Sequence, residues 1–271
     1  EPDLSVCGPL ARSAKDLEIA LDIMAGPIER EARGWQLNLP GSRKSSLKDF
    51  NVAIWSNDEL APVSKDISQR CEDVGNNLAS IGANVSYTAK PEHDFLKAEI
   101  NYQLLLQSVM QSGMSDDEFK KIEEIASNLD RNDLSADAIL AKGTVLSHRN
   151  WIRQNYAREQ IKISWSKFFQ DWDILICPQL ATTAIEHDHR KMSERTIMID
   201  NQEQRFFQQI FWPGLAVNAH LPSTVFPTGL ASDGMPIGLQ AIGGVYEDKT
   251  TIKFAELYEE EFKAFVVPNL D

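Results

Sequence analysis

The stretch Asp173-Ile174-Leu175-Ile176-Cys177-Pro178 decides the fold class. It is a continuous apolar run ended by proline, with none of the alternation of a half-buried strand. Such a run reads as a central strand covered on both faces, the pattern of an α/β sheet. Upstream, residues 151–172 read as one long helix with Ile152, Tyr156, Ile163 and Phe168 as its apolar positions. Further back, residues 51–55 read as a short strand. Pro62 then opens a helix whose apolar positions Ile67, Cys71, Val74, Leu78 and Ile81 recur at helical spacing until Gly82. Residues 83–88 follow as a second strand. This is a βαβ unit, whose strands should be parallel and its crossover right-handed.

Between the two strand regions, residues 94–149 carry helical periodicity with breaks near Ser112-Gly113 and Asn132-Asp133, and read as a helical insert. Downstream the pattern predicts a polar loop over 186–204, a helix over 205–216, a strand over 224–226, a turn at Asp233-Gly234, a strand over 237–242 and a closing helix over 249–265. Toward the amino terminus, Ser13 is a good N-cap with Asp16 as its capping-box partner. Leu17, Ala20, Leu21 and Met24 form an apolar stripe that stops at Gly26-Pro27. Arg12 and Asp16 are spaced for an ion pair on that helix. Residues 29–48 read as an exposed connection.

Composition narrows the function classes. The chain has 271 residues, 42% hydrophobic and 25% charged, enough for one large α/β domain or two small ones. Its mean hydropathy is −0.32, and no apolar run is long enough to cross a membrane. A net charge of −13, with Lys and Arg scattered, repels phosphate backbones, so nucleic acid is not an expected partner. Cys7, Cys71 and Cys177 are too few and too widely spaced for a disulfide framework or a zinc knuckle. They fit a reducing, cytoplasmic location, and no metal or cofactor is expected.

Local constellations add little chemistry. Ser45-Ser46-Leu47-Lys48 has a Ser-x-x-Lys spacing but sits in a basic, loop-like stretch. His187-Asp188-His189 could share a metal only from a strand or turn, and its charged surroundings read as a solvated loop. Cys177 ends an apolar strand, where a buried, inert thiol is the simpler reading. His220 reads either as a packed residue or as a general base, packing being favoured. The glycines 229, 234, 238, 243 and 244 match no phosphate-binding pattern.

Four pieces, in order, resemble the amidase signature family. They are Gly8-Pro9-Leu10-Ala11-Arg12-Ser13 with its helix, the unit from Val52 to Val85, the strand from Asp173 to Pro178, and Pro227-Thr228-Gly229 with Gly234 and Pro236-Ile237-Gly238-Leu239-Gln240-Ala241-Ile242-Gly243. The last is almost letter for letter. The resemblance implies an α/β fold built on a mixed β-sheet flanked by helices on both faces. It also implies hydrolysis of a carboxamide C–N bond by a serine nucleophile, a second serine and a lysine base.

In the family those three catalytic residues lie upstream of the Gly-Pro-Leu-Ala-Arg-Ser segment, and Gly-Gly-Ser-Ser-Gly does not occur in residues 1–271. Residues 1–271 are therefore expected to be the C-terminal portion of a single amidase domain, truncated and inactive alone, and to associate with the N-terminal half. What carries over is substrate-pocket: Pro178, Gln179, Leu180, Thr182 and Thr183 on the acyl side, with Asn218 and His220 near Pro222. His220 stands where the family usually has Gly. The expected partners are a small-molecule amide, the N-terminal half, and a second copy in a homo-oligomer. The alternatives are one subunit of an amidotransferase, or a non-catalytic binding protein.

Overall fold

A computed structural model describes residues 3–191, 194–263, 265 and 267. The chain divides into two compact units. The larger, comprising Cys7–Lys90, Ser166–Ala216 and Leu221–Asp271, carries the sheet. Its strands are β1 (Asn51–Ile54), β2 (Asn84–Ser86), β3 (Ile174–Pro178), β4 (Thr196–Ile199), β5 (Gln202–Arg205), β6 (Ser223–Leu230) and β7 (Pro236–Ile242). Five of them form a sheet in the order β2-β1-β3-β7-β6. β2, β1 and β3 are parallel, Val52 facing Val85 on one side and Ile174 on the other. β7 runs antiparallel to both β3 and β6, which makes the sheet mixed.

All five residues of β3 are buried. Alternate side chains of a strand point to opposite faces, so helices and loops cover this sheet on both faces, as the unbroken apolar run requires. α2 (Lys65–Ser80) buries Ile67, Cys71, Val74 and Leu78 of the stripe read from the sequence, while Ile81 lies at its C-cap and is half-buried, and Gly82 at φ +93° lets the chain turn into β2. α8 (Asp248–Phe262) buries Ile252, Phe254 and Tyr258. Phe254 meets Phe50 and Phe226 edge-on at 5.4 and 5.6 Å.

Several expectations need correction. The stretch read as a polar loop over 186–204 contains the β4–β5 hairpin. Asp200 and Asn201 turn it at φ +46° and +67°, while Ile197 and Ile199 are buried on one face. Met192 and Ser193 of that stretch lie outside the described residues. α2 starts at Lys65 rather than Pro62, and residues 206–210 are a 3-10 turn leading into α7 (Phe211–Ala219). α8 stops at Phe262, before left-handed Lys263. In α1 (Ala14–Met24), Ser13 Oγ accepts from Asp16 N–H at 3.1 Å, but Met24 is exposed. Arg12 precedes the N-cap, outside the helical face, and forms no ion pair with Asp16 among the described residues.

The smaller unit comprises Glu1–Val6, Pro91–Trp165 and Val217–His220. Its helices are α3 (Phe95–Met110), α4 (Asp116–Asn128), α5 (Ala136–Thr144) and the first part of α6 (His148–Asp171). Asp94, Ser115 and Ser135 cap α3, α4 and α5 through their side chains, Ser115 in a reciprocal capping box with Glu118. Gly143 brings α5 against α3 so closely that a Cβ there would stand 2.7 Å from Gln107 Cβ.

Candidate functional site

The connection after β1 returns as β2 on one side, and β3 lies on the other side of β1, so the strand order reverses between β1 and β3. In open α/β sheets ligands bind outside the carboxyl ends of the strands at such a switch point. Here those ends are Ile54-Trp55 and Cys177-Pro178, joined by Trp55 N–H to Ile176 O at 2.9 Å. Residues 178–183 leave the sheet at this place. Pro178 is buried, Gln179, Thr182 and Thr183 are half-buried, and Leu180 is 49% exposed. The five candidate residues read from the strand end therefore lie on this one connection, outside the carboxyl end of β3.

The segment is fastened at three points. Pro178 O accepts from Gln240 Nε2 at 2.9 Å, Ala181 O accepts from Ser64 N–H at 2.8 Å, and Thr183 Oγ1 donates to Asp233 Oδ2 at 3.5 Å. Aromatic rings wall the end of β1. Trp55 packs edge-on against Trp212 at 5.5 Å and Phe211 at 6.0 Å, and Trp212 Nε1 donates to Ala61 O at 3.1 Å. Lys90 Nζ stands 4.1 Å from the Trp55 ring and 3.5 Å from Asp58 Oδ2. Cys177, fully buried beside this end, has its thiol pushed well up by desolvation, with a hydrogen bond to Gln240 pulling weakly the other way. It is a protonated core residue and no nucleophile.

Asn218 and His220 belong to the helical unit. Asn218 is 4% exposed, and its Nδ2 donates to Asn101 Oδ1 at 3.3 Å. Asn101 in turn donates to Gln154 O and Oε1 at 2.8 and 2.9 Å. Asn218 Oδ1 has no hydrogen-bond donor among the described residues.

His220 is not the packed residue favoured from the sequence. Its side chain is 46% exposed, and its Nε2 lies 3.6 Å from Asp3 Oδ1. Burial of the rest of the ring, with Lys162 and Arg158 nearby, lowers its pKa despite Asp3 and Glu159. Its backbone sits at φ +54° at the C′ position of α7. His220 N–H reaches Val217 O at 3.3 Å, and Leu221 N–H reaches Ala216 O at 3.0 Å, the two bonds of a Schellman cap. That left-handed position is where glycine is favoured, which gives the family's usual Gly a backbone reason. Arg158, 3% exposed, completes the neighbourhood by donating to Asp3 Oδ2 at 2.8 Å and to Asn155 Oδ1.

Among the described residues, no cluster of three or more His, Cys, Asp or Glu could hold a metal. His187 and His189 face each other edge-on at 6.3 Å, and Asp188 between them is engaged by Arg190, which holds its carboxyl down to about 2. A polar pocket bordered by Arg43, Lys44, Phe169, Trp172, Asp173 and Glu247 lies at the opposite, amino-terminal end of β3. Lys44 and Asp173 at 3.2 Å, and Arg43 and Glu247 at 3.5 Å, already neutralise each other there. That end of the sheet is away from the switch point and carries no part of the site. Sequence reading missed Gln240, Trp55 and Trp212. Gln240 alone left a trace, as a polar residue inside an apolar strand, which demands a partner.

A family model described as Amidase matches residues 1–252. The A-subunit of the glutamyl-tRNA(Gln) amidotransferase of Saccharolobus solfataricus is 27% identical over 274 residues, covering 94% of this chain and 55% of that protein. Indoleacetamide hydrolase of Bradyrhizobium diazoefficiens is 23% identical, over 94% of this chain and 46% of its own length. The chain thus spans about half the length of the curated relatives it matches. Among solved structures, a bacterial aryl acylamidase of the amidase signature enzymes superposes with a TM-score of 0.63 at 16% identity, over 93% of this chain and 52% of that one. The A-subunit of the Thermotoga maritima glutamyl-tRNA(Gln) amidotransferase gives 0.63 at 15% identity, over 94% and 52%. These structural likenesses carry the mixed, helix-flanked sheet. No helix among the described residues is long and apolar enough to cross a membrane. With the family match extending over most of its length on that sheet, the chain belongs to the amidase family, the amidase signature enzymes.

Proposed function

We propose that the complete protein is an amidase that hydrolyses a small carboxamide, and that residues 1–271 supply the sheet and the acyl side of the pocket. The serine nucleophile, the bridging serine and the lysine base are assigned to a region that this chain does not contain. In that chemistry a serine Oγ attacks the amide carbon, its proton leaves with the amine as the C–N bond breaks, and water then releases the carboxylate. Pro178, Gln179, Leu180, Thr182 and Thr183 are proposed to border the acyl group, and Asn218 and His220 are proposed as substrate-contacting residues of the helical unit. The observation that carries this reading is the position of residues 178–183, outside the carboxyl ends of β1 and β3 where the strand order reverses. The three free thiols, Cys7, Cys71 and Cys177, support a cytoplasmic location.

The full-length protein incubated with alkyl and aryl amides should release ammonia or amine and label one serine with a fluorophosphonate, whereas residues 1–271 alone should do neither. Turnover by residues 1–271 alone, with labelling of Ser45 or Ser223, would sink the assignment of the nucleophile elsewhere. A second reading, one subunit of an amidotransferase that passes ammonia to a partner, is supported by the 27% identity to the Saccharolobus solfataricus protein. It predicts amide hydrolysis that rises when the partner protein is added, where an amidase works alone. The N-terminal half and a second copy remain the proposed protein partners. A non-catalytic binding protein would bind amides with no turnover in any combination.

A further inference from the structure

Gln240 lies in β7 with 1% of its surface exposed, between buried Leu239 and Ala241. A buried amide persists in an apolar strand only where both ends are satisfied. Its Nε2 uses its two protons on Pro178 O at 2.9 Å and Trp212 O at 2.8 Å, and its Oε1 accepts from Ser223 Oγ at 3.0 Å. Three separate pieces of chain therefore meet on one side chain: the end of β3, the start of α7 and the first residue of β6. Pro178 is the last residue of β3, so the first of these bonds fixes the direction in which the chain leaves the sheet. Trp212 reaches Ala61 through its indole and meets Trp55 edge-on, so the second bond ties the loop to the aromatic wall at the end of β1. An apolar side chain of the same volume would fill the space and hold neither carbonyl.

We propose that Gln240 is a positioning residue, which sets residues 178–183 and the Trp212–Trp55 wall at a fixed separation and thereby shapes the acyl side of the pocket. This rests on the reading of that loop as the acyl side. Leu180 and Thr182 lie between the fastening points at Pro178, Ala181 and Thr183, so their placement depends on those points and on no ladder of the sheet.

The test uses the full-length protein as wild type, Gln240→Met and Gln240→Glu. Met keeps the volume and removes these three bonds together with the hydrogen bond to Cys177. Glu keeps the shape and puts oxygen in place of Nε2: protonated, it donates to one of the two carbonyls, and ionised, it repels both. The Cys177 thiol faces this position, and burial pushes its pKa well up, away from the carboxyl range, so a response to acid reports the new carboxyl. Amide hydrogen exchange of residues 179–183, taken as a ratio to wild type at the same pH, should be about tenfold faster in Gln240→Met at every pH. In Gln240→Glu it should be faster at neutral pH and return toward wild type in acid, and KM for a carboxamide should rise more than kcat falls.

Wild-type exchange in this loop in both variants would overturn the proposal. So would faster exchange spread evenly over the sheet with no recovery of Gln240→Glu in acid, since that is loss of packing alone. If Gln240→Met does not fold, Gln240→Glu in acid and at neutral pH decides the matter by itself. The exchange measurement needs no turnover: a wild type inactive on every amide would end the amidase reading while the exchange ratios still judge Gln240.

Discussion

Asp200 Oδ2 accepts a hydrogen bond from the backbone N–H of Lys65 at 2.9 Å, across 135 residues of chain. Lys65 is the first residue of α2, and the N-cap Ser64 makes no side-chain bond of its own. The tip of the β4–β5 hairpin thus serves a helix end that its own sequence leaves open, and adds an acidic group at the positive end of the helix. Asp200 also holds the turn at φ +46°, a conformation that Asp and Asn tolerate and Ala does not. Asp200→Ala should lower stability by about 1–2 kcal/mol, the loss of a cap plus turn strain. Asp200→Gly relieves the turn and loses the cap alone, so it should fall between wild type and Asp200→Ala. Urea melts of the three proteins check the order, and equal midpoints for Asp200→Ala and wild type would refute it.

That hairpin also shows where sequence reading stops. In β4 the residues Thr196-Ile197-Met198-Ile199 bury every second side chain, but Met198 on the solvent side is apolar too, which blurs the alternation. β5, Gln202-Glu203-Gln204-Arg205, presents no apolar residue, so periodicity has nothing to detect. The remaining signal is the Asp200-Asn201 turn, legible only once a strand is suspected on each side. By contrast β3 and α2 announced themselves because each buries a face against the sheet, and burial is what periodicity records. The site divides in the same way. Residues 178–183 follow a legible strand end, whereas the partners of Gln240 lie 62, 28 and 17 residues away and are set by tertiary packing.

His220 pays a backbone cost in the left-handed cap of α7, which for a residue with a Cβ is about 1–2 kcal/mol. Its contact with Asp3, at 3.6 Å and half-exposed, returns about 0–1 kcal/mol. His220→Gly should therefore raise the melting temperature. A true general base contributes about 10²–10⁴ in rate, so the same change in the full-length protein should alter turnover of a small amide by less than about tenfold while bulkier amides gain. A lower melting temperature would contradict the strain argument, and a thousandfold loss on the small amide would make His220 a catalytic residue.

Gly143 reads as a weak point inside α5, yet it is there for room. A methyl group at this position would lie 2.7 Å from Gln107 Cβ and 3.1 Å from Leu104 O, both on α3. Gly143→Ala gains helix propensity of about 1 kcal/mol and loses more through overpacking, typically about 1–3 kcal/mol, because a backbone carbonyl must yield. The expected net effect is destabilisation, opposite in sign to the effect of the same substitution in an exposed helix. Gly113 meets no atom within 4 Å and serves as the control. Gly113→Ala should leave the melting temperature nearly unchanged, and a stabilised Gly143→Ala would show that α3 and α5 can separate at little cost.

His93 gives the helical unit a pH dependence whose sign can be worked out. Its Nδ1 stands 3.1 Å from Ser164 Oγ, and its ring packs beside Phe95 at 4.5 Å and Trp165 at 6.1 Å. Desolvation lowers its pKa from 6.5 to about 4, against a small opposing pull from Asp94. The unfolded chain therefore takes up a proton near pH 6.5 that the folded chain refuses until about pH 4. Stability due to this group is complete above 6.5 and is lost progressively as the pH falls from there toward 4. The ring is only half-buried, and after solvent screening the loss is roughly 1–2 kcal/mol. His93→Gln keeps a hydrogen-bonding group beside Ser164 and removes the titration. Glu99, whose carboxyl is pushed up by burial, contributes with the opposite sign in both proteins and cancels in their difference. Urea midpoints of wild type and His93→Gln, compared at about pH 7 and about pH 5, should therefore converge or cross as wild type loses stability faster in acid. A difference between the two that stays constant with pH would mean that His93 titrates alike in the folded and unfolded chain, and that its packing against Trp165 leaves the imidazole open to water.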